Sequence, residues 1–467
     1  MSLDIAHVSR GAIAGPLRTR SWIGQLCDWL ERRPAALPLA SLAVIALLVA
    51  VTAFFAARSG RYNVDAYSAM LAVELLEAPN TFDVKISAPG YPLLLTAISY
   101  VDPSLKAAVT CHGIKSPCPR IASFGSLIGL QYAVALTALL SALFMAYRLS
   151  GNRETALLAL VLTFAGSRLG AYTASVGVMI WISAFAYLSL ALSLEAHVRK
   201  SIVCALLAGL VAGLMSVFYP LAAVFSVALA LSLALTFGQT SRAGKLGAGL
   251  AVLVGAIAIP IVVYATIPSY GAAATGRALL LQLSERIGYQ PIDFSSWLAS
   301  LVLPIPFFGG LLEFLFADDT NSYVKRSYEI LAIAQSRDES PFLQYVTLIR
   351  THVLANIPAY LATVPSLINR GMWGGADIVA LVGVFHLRRL IAYATVDGRM
   401  SMLLIVLVPT SALLLANTML SSDPAWSNPA MPFIWAFAIA YVVGRFPRKS
   451  SGEEAKAPPT EHPPPRR

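Results

Sequence analysis

The residues best placed to do chemistry lie between positions 61 and 95. Asp65 opens a helix-like run over 64–76, directly after the first long apolar stretch. A carboxylate held just outside a membrane is a group that can take a proton from a hydroxyl. About 20 residues later Ala88-Pro89-Gly90-Tyr91-Pro92 leads into Leu93-Leu94-Leu95, a return toward apolar surroundings. Together they read as an active-site loop. Cations are within reach of it: Lys85 in the polar stretch 81–87, and Arg61 at the membrane edge. Arg168, Arg277, Arg286 and Arg370 are further candidates on the same side. An arginine at a membrane edge is costly enough to point to function, although snorkelling to lipid headgroups is its commoner use.

These groups need elements that hold them. Asp65, Ser68, Ala69, Ala72 and Leu76 share one face by i, i+3, i+4 spacing, and that face is small enough to approach a membrane body closely. Tyr67, Glu74 and Glu77 lie away from it, and Pro79 and Asn80 stop the helix. Pro89 and Pro92 stiffen the backbone on either side of Gly90, the one permissive residue. The stretch 93–100 is apolar but too short to span. Cys111 and Cys118 share this loop, where an oxidising compartment allows a disulfide. Pro117 and Pro119 flank Cys118 and could equally aim the two side chains apart, so pairing stays open. Tyr345 and His352 are candidates to face an acceptor cavity.

The composition is that of a membrane protein. Apolar residues make up 57% of the 467 and charged ones 12%, with a mean hydropathy of +0.70. A soluble chain would carry about twice that charge. Clear spans are 37–57, 122–147, 174–194, 202–217, 221–237, 246–267, 400–420 and 429–444. Segments 155–170, 297–316, 351–369 and 376–387 are shorter or broken. Lys and Arg cluster in the N-terminal tail and at 148–153, 199–200, 242–245, 388–389 and 445–449, which predicts both termini inside and about twelve spans (10–13). The net charge of +10 sits in these tails and short links. No basic cluster marks a soluble domain, so nucleic acid is a poor partner. The six histidines form no ligand-spaced set, which argues against a metal site.

The expected organisation is a basic cytoplasmic lead-in over 1–36 and a transmembrane domain over 37–445. That domain carries an outer loop at 58–120 and a mixed outer or interfacial region at 268–372. The Pro-rich tail 446–467 is predicted to be disordered. No internal repeat is visible, which weighs against a transporter of two matched halves.

The residues in the loop resemble the GT-C superfamily of membrane glycosyltransferases. The likeness is to the branch of protein O-mannosyltransferases and the lipid A aminoarabinose transferase. Asp65 stands where that family has a catalytic Asp at the start of a helix, and Pro89-Gly90-Tyr91-Pro92-Leu93 where it has a Pro-Gly-Tyr-Pro motif. Gly209 and Gly213, in a span that turns at Pro220, are similar to the family's Gly-x-x-x-Gly helix. Pro358-Ala-Tyr360 resembles its Pro-x-Tyr, and Pro429-Ala-Met-Pro432 the opening of its final span. The marks run in the family's order. Ser87 and Ala88 depart from it where relatives carry Arg or Lys, as do Phe218 and Tyr219 near the turn.

The resemblance implies an all-α polytopic membrane fold with a helical first periplasmic loop, in a bacterial inner membrane. It implies transfer of a sugar from a polyprenyl-phosphate donor to a lipid, glycan or protein acceptor, with inversion and with neither metal nor cofactor. Asp65 would be the base. Lys85, Arg286, Arg61 and Arg370 would be the candidates to hold the donor phosphate, and Pro89, Gly90 and Tyr91 would line the donor groove. Gly209 and Gly213 are read as close helix packing rather than groove lining. The alternatives are a non-catalytic binder of polyprenyl-linked sugar and a lipid or sugar flippase.

Overall fold

The computed structural model describes residues 66–77, 88–114, 116–150, 169–237, 242–266, 272–288, 319–336, 339–362 and 399–420, with single positions between 156 and 163. The lead-in 1–36, the expected spans 37–57, 297–316, 376–387 and 429–444, and the tail 446–467 lie outside the described residues.

Among the described residues all regular structure is helical. Three helices fill the predicted outer loop: α1 (Ala66–Glu77), α2 (Gly90–Val101) and α3 (Pro103–Gly113). They are followed by α4 (Gly125–Ser150), the short α5 (Leu169–Ala174), α6 (Met179–Arg199), α7 (Ile202–Phe218), α8 (Ala222–Thr236) and α9 (Arg242–Thr266). Next come α10 (Ala272–Gly288), α11 (Asp319–Gln335) and α12 (Pro341–Leu348). A π-helical turn (Ile349–Val353) and a 3-10 turn (Leu354–Asn356) lead into α13 (Ile357–Ala362), and α14 (Met400–Leu420) closes the described chain.

Among the described residues, four helices are long and apolar enough to cross a membrane: Gly125–Leu149, Met179–Arg199, Arg242–Thr266 and Met400–Leu420. This is a polytopic helical membrane protein. α7 and α8 are shorter apolar helices, reaching roughly 26 and 23 Å at the helical rise. They pack in the middle of the bundle, α7 between α6 and α9, and α8 between α9 and α14.

The seam between α7 and α9 follows from glycine. A methyl on Gly209 would lie 2.8 Å from the Val252 Cα, and one on Gly213 would lie 2.8 Å from the Ala256 carbonyl oxygen. Facing them, a methyl on Gly255 would lie 2.6 Å from the Leu206 carbonyl. Backbone meets backbone, the contact that small residues permit in a bilayer, where apolar side chains gain little by leaving lipid. This is the packing role expected for Gly209 and Gly213. Several polar groups inside the bundle find backbone partners on neighbouring elements. Ser189 Oγ donates to the Ala208 carbonyl at 3.0 Å. Gln131 Nε2, fully buried, donates to the carbonyls of Thr173 (2.9 Å) and Ser175 (2.7 Å). That bond fixes the break between α5 and α6.

The helix ends sort into two groups. One end of the bundle carries Arg148, Arg199, Lys200, Arg242, Lys245 and Arg399 at or beside helix termini. There Lys200 turns the chain in the left-handed conformation (φ 55) and Ser201 caps α7. The opposite end holds the starts of α4, α6 and α8 and the ends of α7, α9 and α14. Two helical assemblies cover that end. One is α1–α3, which touches α7 and α4. The other is α10 to α13, which touches α14 and has its own core of Leu280, Leu283, Ile287, Tyr345, Leu348 and Tyr360. Below, this covered end is called the loop end and its opposite the basic end.

Candidate functional site

The site is assembled where those two coverings meet the bundle. α2 begins at Gly90, with the Leu93 amide donating to the Pro89 carbonyl at 3.0 Å. Gly90 has no side chain because none would fit: a Cβ there would clash with the Phe218 ring, lying 2.8 Å from its Cγ. Phe218 is the last residue of α7 and is held by two rings of α6. It stacks on Trp181 (centroids 6.1 Å, planes at 26°) and meets Phe185 edge-on (5.4 Å, 75°). The Pro-Gly-Tyr-Pro corner is therefore seated on an aromatic platform. Pro89, Gly90, Tyr91 and Pro92 are all buried, with Tyr91 only 2% exposed.

α1 rests on this corner. Thr96 Oγ1 donates to the Pro92 carbonyl at 2.9 Å and lies 3.4 Å from the Ala72 carbonyl of α1. Ser68, Ala69 and Ala72 are buried as their shared face predicts, and so are Leu71, Val73 and Leu75. The exposed positions Met70, Glu74 and Glu77 form a single stripe. The helix is thus embedded on most sides, more deeply than its one small face suggests.

The next residue after Phe218 extends the connection to α14. Tyr219, 1% exposed, donates its hydroxyl to Asn417 Oδ1 at 2.7 Å. The adjacent residue, Thr418, offers its carbonyl to Arg286 Nε at 2.6 Å. Thr418 lies in the last turn of α14, where carbonyls have no intrahelical donor. Arg286 thus caps α14, its charge at the negative end of the helix dipole. The guanidinium lies over the Tyr360 ring, 4.7 Å from its centroid, and the residue is 3% exposed. One run of contacts joins Gly90, Phe218, Tyr219, Asn417, Thr418, Arg286 and Tyr360.

Four features singled out in the sequence therefore converge: the Pro-Gly-Tyr-Pro corner, the turn at Pro220, Tyr360 and Arg286. The remaining site residues, Asp65, Lys85, Arg61 and Arg370, lie outside the described residues. The helix expected to follow Asp65 begins at Ala66. Asn417 was not among the expected site residues, although an amide within an apolar span is itself a signal of a polar contact. His352 lines a recess with Ile330, Ile333, Ala334, Gln344, Leu348 and Thr351, whereas Tyr345 is buried in the core beside it.

Asp102 ties the loop helices to the bundle. Its Oδ1 accepts from the Ser104 amide (2.8 Å), the Leu105 amide (3.3 Å) and the Ser104 hydroxyl (2.6 Å) at the start of α3. Its Oδ2 accepts from the Ser126 hydroxyl of α4. These bonds, Ser104 and Ser126 foremost, bring its carboxyl down to about 2. Cys111 and Cys118 form a disulfide, with Cα atoms 5.1 Å apart. His112 lies beside that pair, its ligand nitrogen and the two sulfurs within 4.8 Å of one another. This is a tighter grouping than the scattered histidines of the sequence imply.

No family model matches the chain, and no curated protein does. Among solved structures, the fold is similar to the archaeal oligosaccharyltransferase AglB from Archaeoglobus fulgidus, solved with an inhibitory peptide and a dolichol-phosphate. The TM-score is 0.47 at 11% identity, over 89% of this chain and 51% of that one. The apo form of the Archaeoglobus fulgidus enzyme gives 0.46 and 12%, over 87% and 50%. The form tethered to an acceptor peptide gives 0.43 and 12%, over 89% and 50%. The chain spans about half the length of these proteins. A likeness at this level leaves the function to the chain's own residues.

Proposed function

We propose that the protein is a GT-C-type glycosyltransferase that moves a sugar from a polyprenyl-phosphate donor to an acceptor hydroxyl. The observation that carries this reading is the seating of the Pro89-Gly90-Tyr91-Pro92 corner on Phe218. It packs α1, the helix that follows Asp65, against the loop end of the bundle. By the positive-inside rule the basic end faces the cytoplasm and the loop end is extracytoplasmic; a bacterial inner membrane is what the GT-C resemblance implies.

In the proposed reaction Asp65 takes the proton of the acceptor hydroxyl as its oxygen bonds to the anomeric carbon. The bond from that carbon to the phosphate oxygen breaks, and polyprenyl phosphate leaves with the electron pair. One displacement inverts the anomeric carbon. A lipid monophosphate can be neutralised by Lys or Arg, so the reaction requires no metal. Lys85, Arg61 and Arg370 are the proposed phosphate contacts. Arg286 is the fourth, although its Nε already serves the end of α14. Pro89, Gly90 and Tyr91 shape the donor groove from beneath, being buried themselves.

The test uses the full chain in lipid nanodiscs with a panel of polyprenyl-phosphate hexoses and pentoses and an extract of envelope lipids and glycans. Release of polyprenyl phosphate is measured. Asp65→Asn should lower it by roughly 10²–10⁴-fold with the melting temperature unchanged; wild-type turnover in that variant rules out the mechanism. A second reading, a binder that does not turn donor over, draws support from Ser87 and Ala88 standing where a cation is expected. Saturable donor binding with no polyprenyl phosphate released would select it.

A further inference from the structure

α3 is held at both ends, and the far clamp lies beside α1. At its start Asp102 accepts from the Ser104 and Leu105 amides and reaches Ser126 of α4. At its end Cys111, 3% exposed, is joined to Cys118. The Ser116 amide returns to the Cys111 carbonyl at 2.9 Å, and the Ser123 amide reaches the Ser104 carbonyl at 3.2 Å. The segment 116–123 is therefore a strap laid back along the helix.

That strap matters because of what the last turn of α3 touches. A methyl on Gly113 would lie 2.8 Å from Val73 Cγ2, 3.0 Å from the Ala69 carbonyl oxygen and 3.1 Å from the Met70 Cα. The end of α3 bears directly on the backbone of the first half of α1, and Ala69 is four residues after Asp65. An 11-residue helix is too short to keep its last turn closed unaided. The residue that follows, Ile114, is at φ −92, ψ 4, so no left-handed cap finishes the helix. The Ile114 amide donates to the Thr110 carbonyl at 3.1 Å, and the crosslink adds a covalent closure to that hydrogen bond.

We propose that the Cys111–Cys118 disulfide is a positioning crosslink for α1. It keeps the last turn of α3 closed so that Gly113 abuts Ala69 and Met70. Its reduction to two thiols, which takes two electrons and two protons, loosens the start of α1 while the bundle stays folded. The link to catalysis rests on Asp65 being the base; the mechanical coupling does not.

The experiment compares the full chain in nanodiscs before and after treatment with a phosphine reductant. Amide exchange over 66–77 should rise roughly tenfold on reduction, with α6 and α9 unchanged, and air oxidation should restore it. Donor turnover should fall roughly tenfold in kcat, with KM for the polyprenyl-phosphate sugar unchanged. Cys111→Ser with Cys118→Ser should reproduce the reduced state and be insensitive to oxidant. Gly113→Ala should loosen α1 with the disulfide intact. Unchanged exchange over 66–77 on reduction overturns the proposal. So does finding two free thiols, or a bound zinc ion shared with His112, in protein taken from the membrane. If exchange responds but Asp65→Asn remains fully active, the coupling stands and the catalytic reading falls.

Discussion

Each end of the bundle has an arginine that finishes a helix belonging to another part of the chain. At the basic end Arg399 donates through Nη1 to the Leu149 carbonyl at the close of α4 (3.1 Å). At the loop end Arg286 donates through Nε to the Thr418 carbonyl at the close of α14 (2.6 Å). The hydrogen-bonding task is the same, but the surroundings differ. Arg399 is half-buried, at the end of the bundle that also carries Arg148 and the exposed Arg199 and Lys200. Arg286 is shut in over the Tyr360 ring, so nothing replaces it there. The basic end can lose a contact cheaply. The loop end is built so that its contacts depend on one another.

The largest expected effect follows from that contrast. Arg286→Ala strips the last turn of α14 of its donor and removes a cation from an aromatic face, and should cost about 3 kcal/mol. Arg399→Ala should cost about 1 kcal/mol, since water takes over the carbonyl. Thermal melts of both variants in one detergent check the ratio, and equal shifts would break the comparison. Arg286→Lys keeps the charge without the planar fork and should recover less than half of the loss.

Next in size is Tyr219→Phe, which deletes the hydroxyl bonded to Asn417 and should cost about 1 kcal/mol. The test that sharpens the comparison is a double-mutant cycle with Arg286→Ala. Tyr219 and Arg286 act on neighbouring residues of α14, so their effects should couple by more than about 0.5 kcal/mol. Strict additivity would show that the run of contacts from Gly90 to Tyr360 is a chain of separate bonds.

Much of the bundle could be read from hydropathy. Expected spans 202–217 and 221–237 match Ile202–Phe218 and Ala222–Thr236 closely, because burial in lipid is what a hydropathy window measures. The expected 174–194 is displaced from Met179–Arg199 for two physical reasons. Ala174 ends α5, and residues 175–178 form the break before α6, where the Ser175 carbonyl accepts from Gln131. At the other end the helix continues through Glu195, His197 and Arg199, which a window rejects. Beyond the expected helix and corner, the outer loop carries a legible cap at Asp102-Pro103-Ser104, with Pro in the first turn and a carboxylate before it. What could not be read is the meeting of Gly90 with Phe218 and of Tyr219 with Asn417. Those pairs are far apart in sequence, and only the packing of α2, α7 and α14 brings them together. Depth of burial, the difference between Arg286 and Arg399, is invisible for the same reason.

Asp102 gives a pH test of how the loop helices are fastened. Its folded-state carboxyl titrates at about 2, below the ordinary 3.8. A lowered value means that the charged form is favoured by folding. The stabilisation is therefore complete above about pH 4 and is lost as the pH falls toward 2. Exchange over 103–113 should accelerate across that window, and Asp102→Asn should flatten the dependence. An unchanged acid profile in the variant would place the clamp elsewhere.

The smallest effect belongs to the basic end. Glu195 receives Arg148 at 3.1 Å and Arg199 one turn on, but the two arginine side chains are 35% and 71% exposed. Exposed pairs of this kind are worth about 0–1 kcal/mol and are screened by salt. Glu195→Gln should shift the melt by only a few tenths of a kcal/mol at low salt, and by nothing measurable at about 1 M, where the Debye length is about 3 Å. Arg286→Ala should lose the same stability at both salt concentrations, because its contact is closed to water. If Glu195→Gln instead costs as much as Arg286→Ala and resists salt, the basic end is as tightly built as the loop end. The arginines would then differ in position alone.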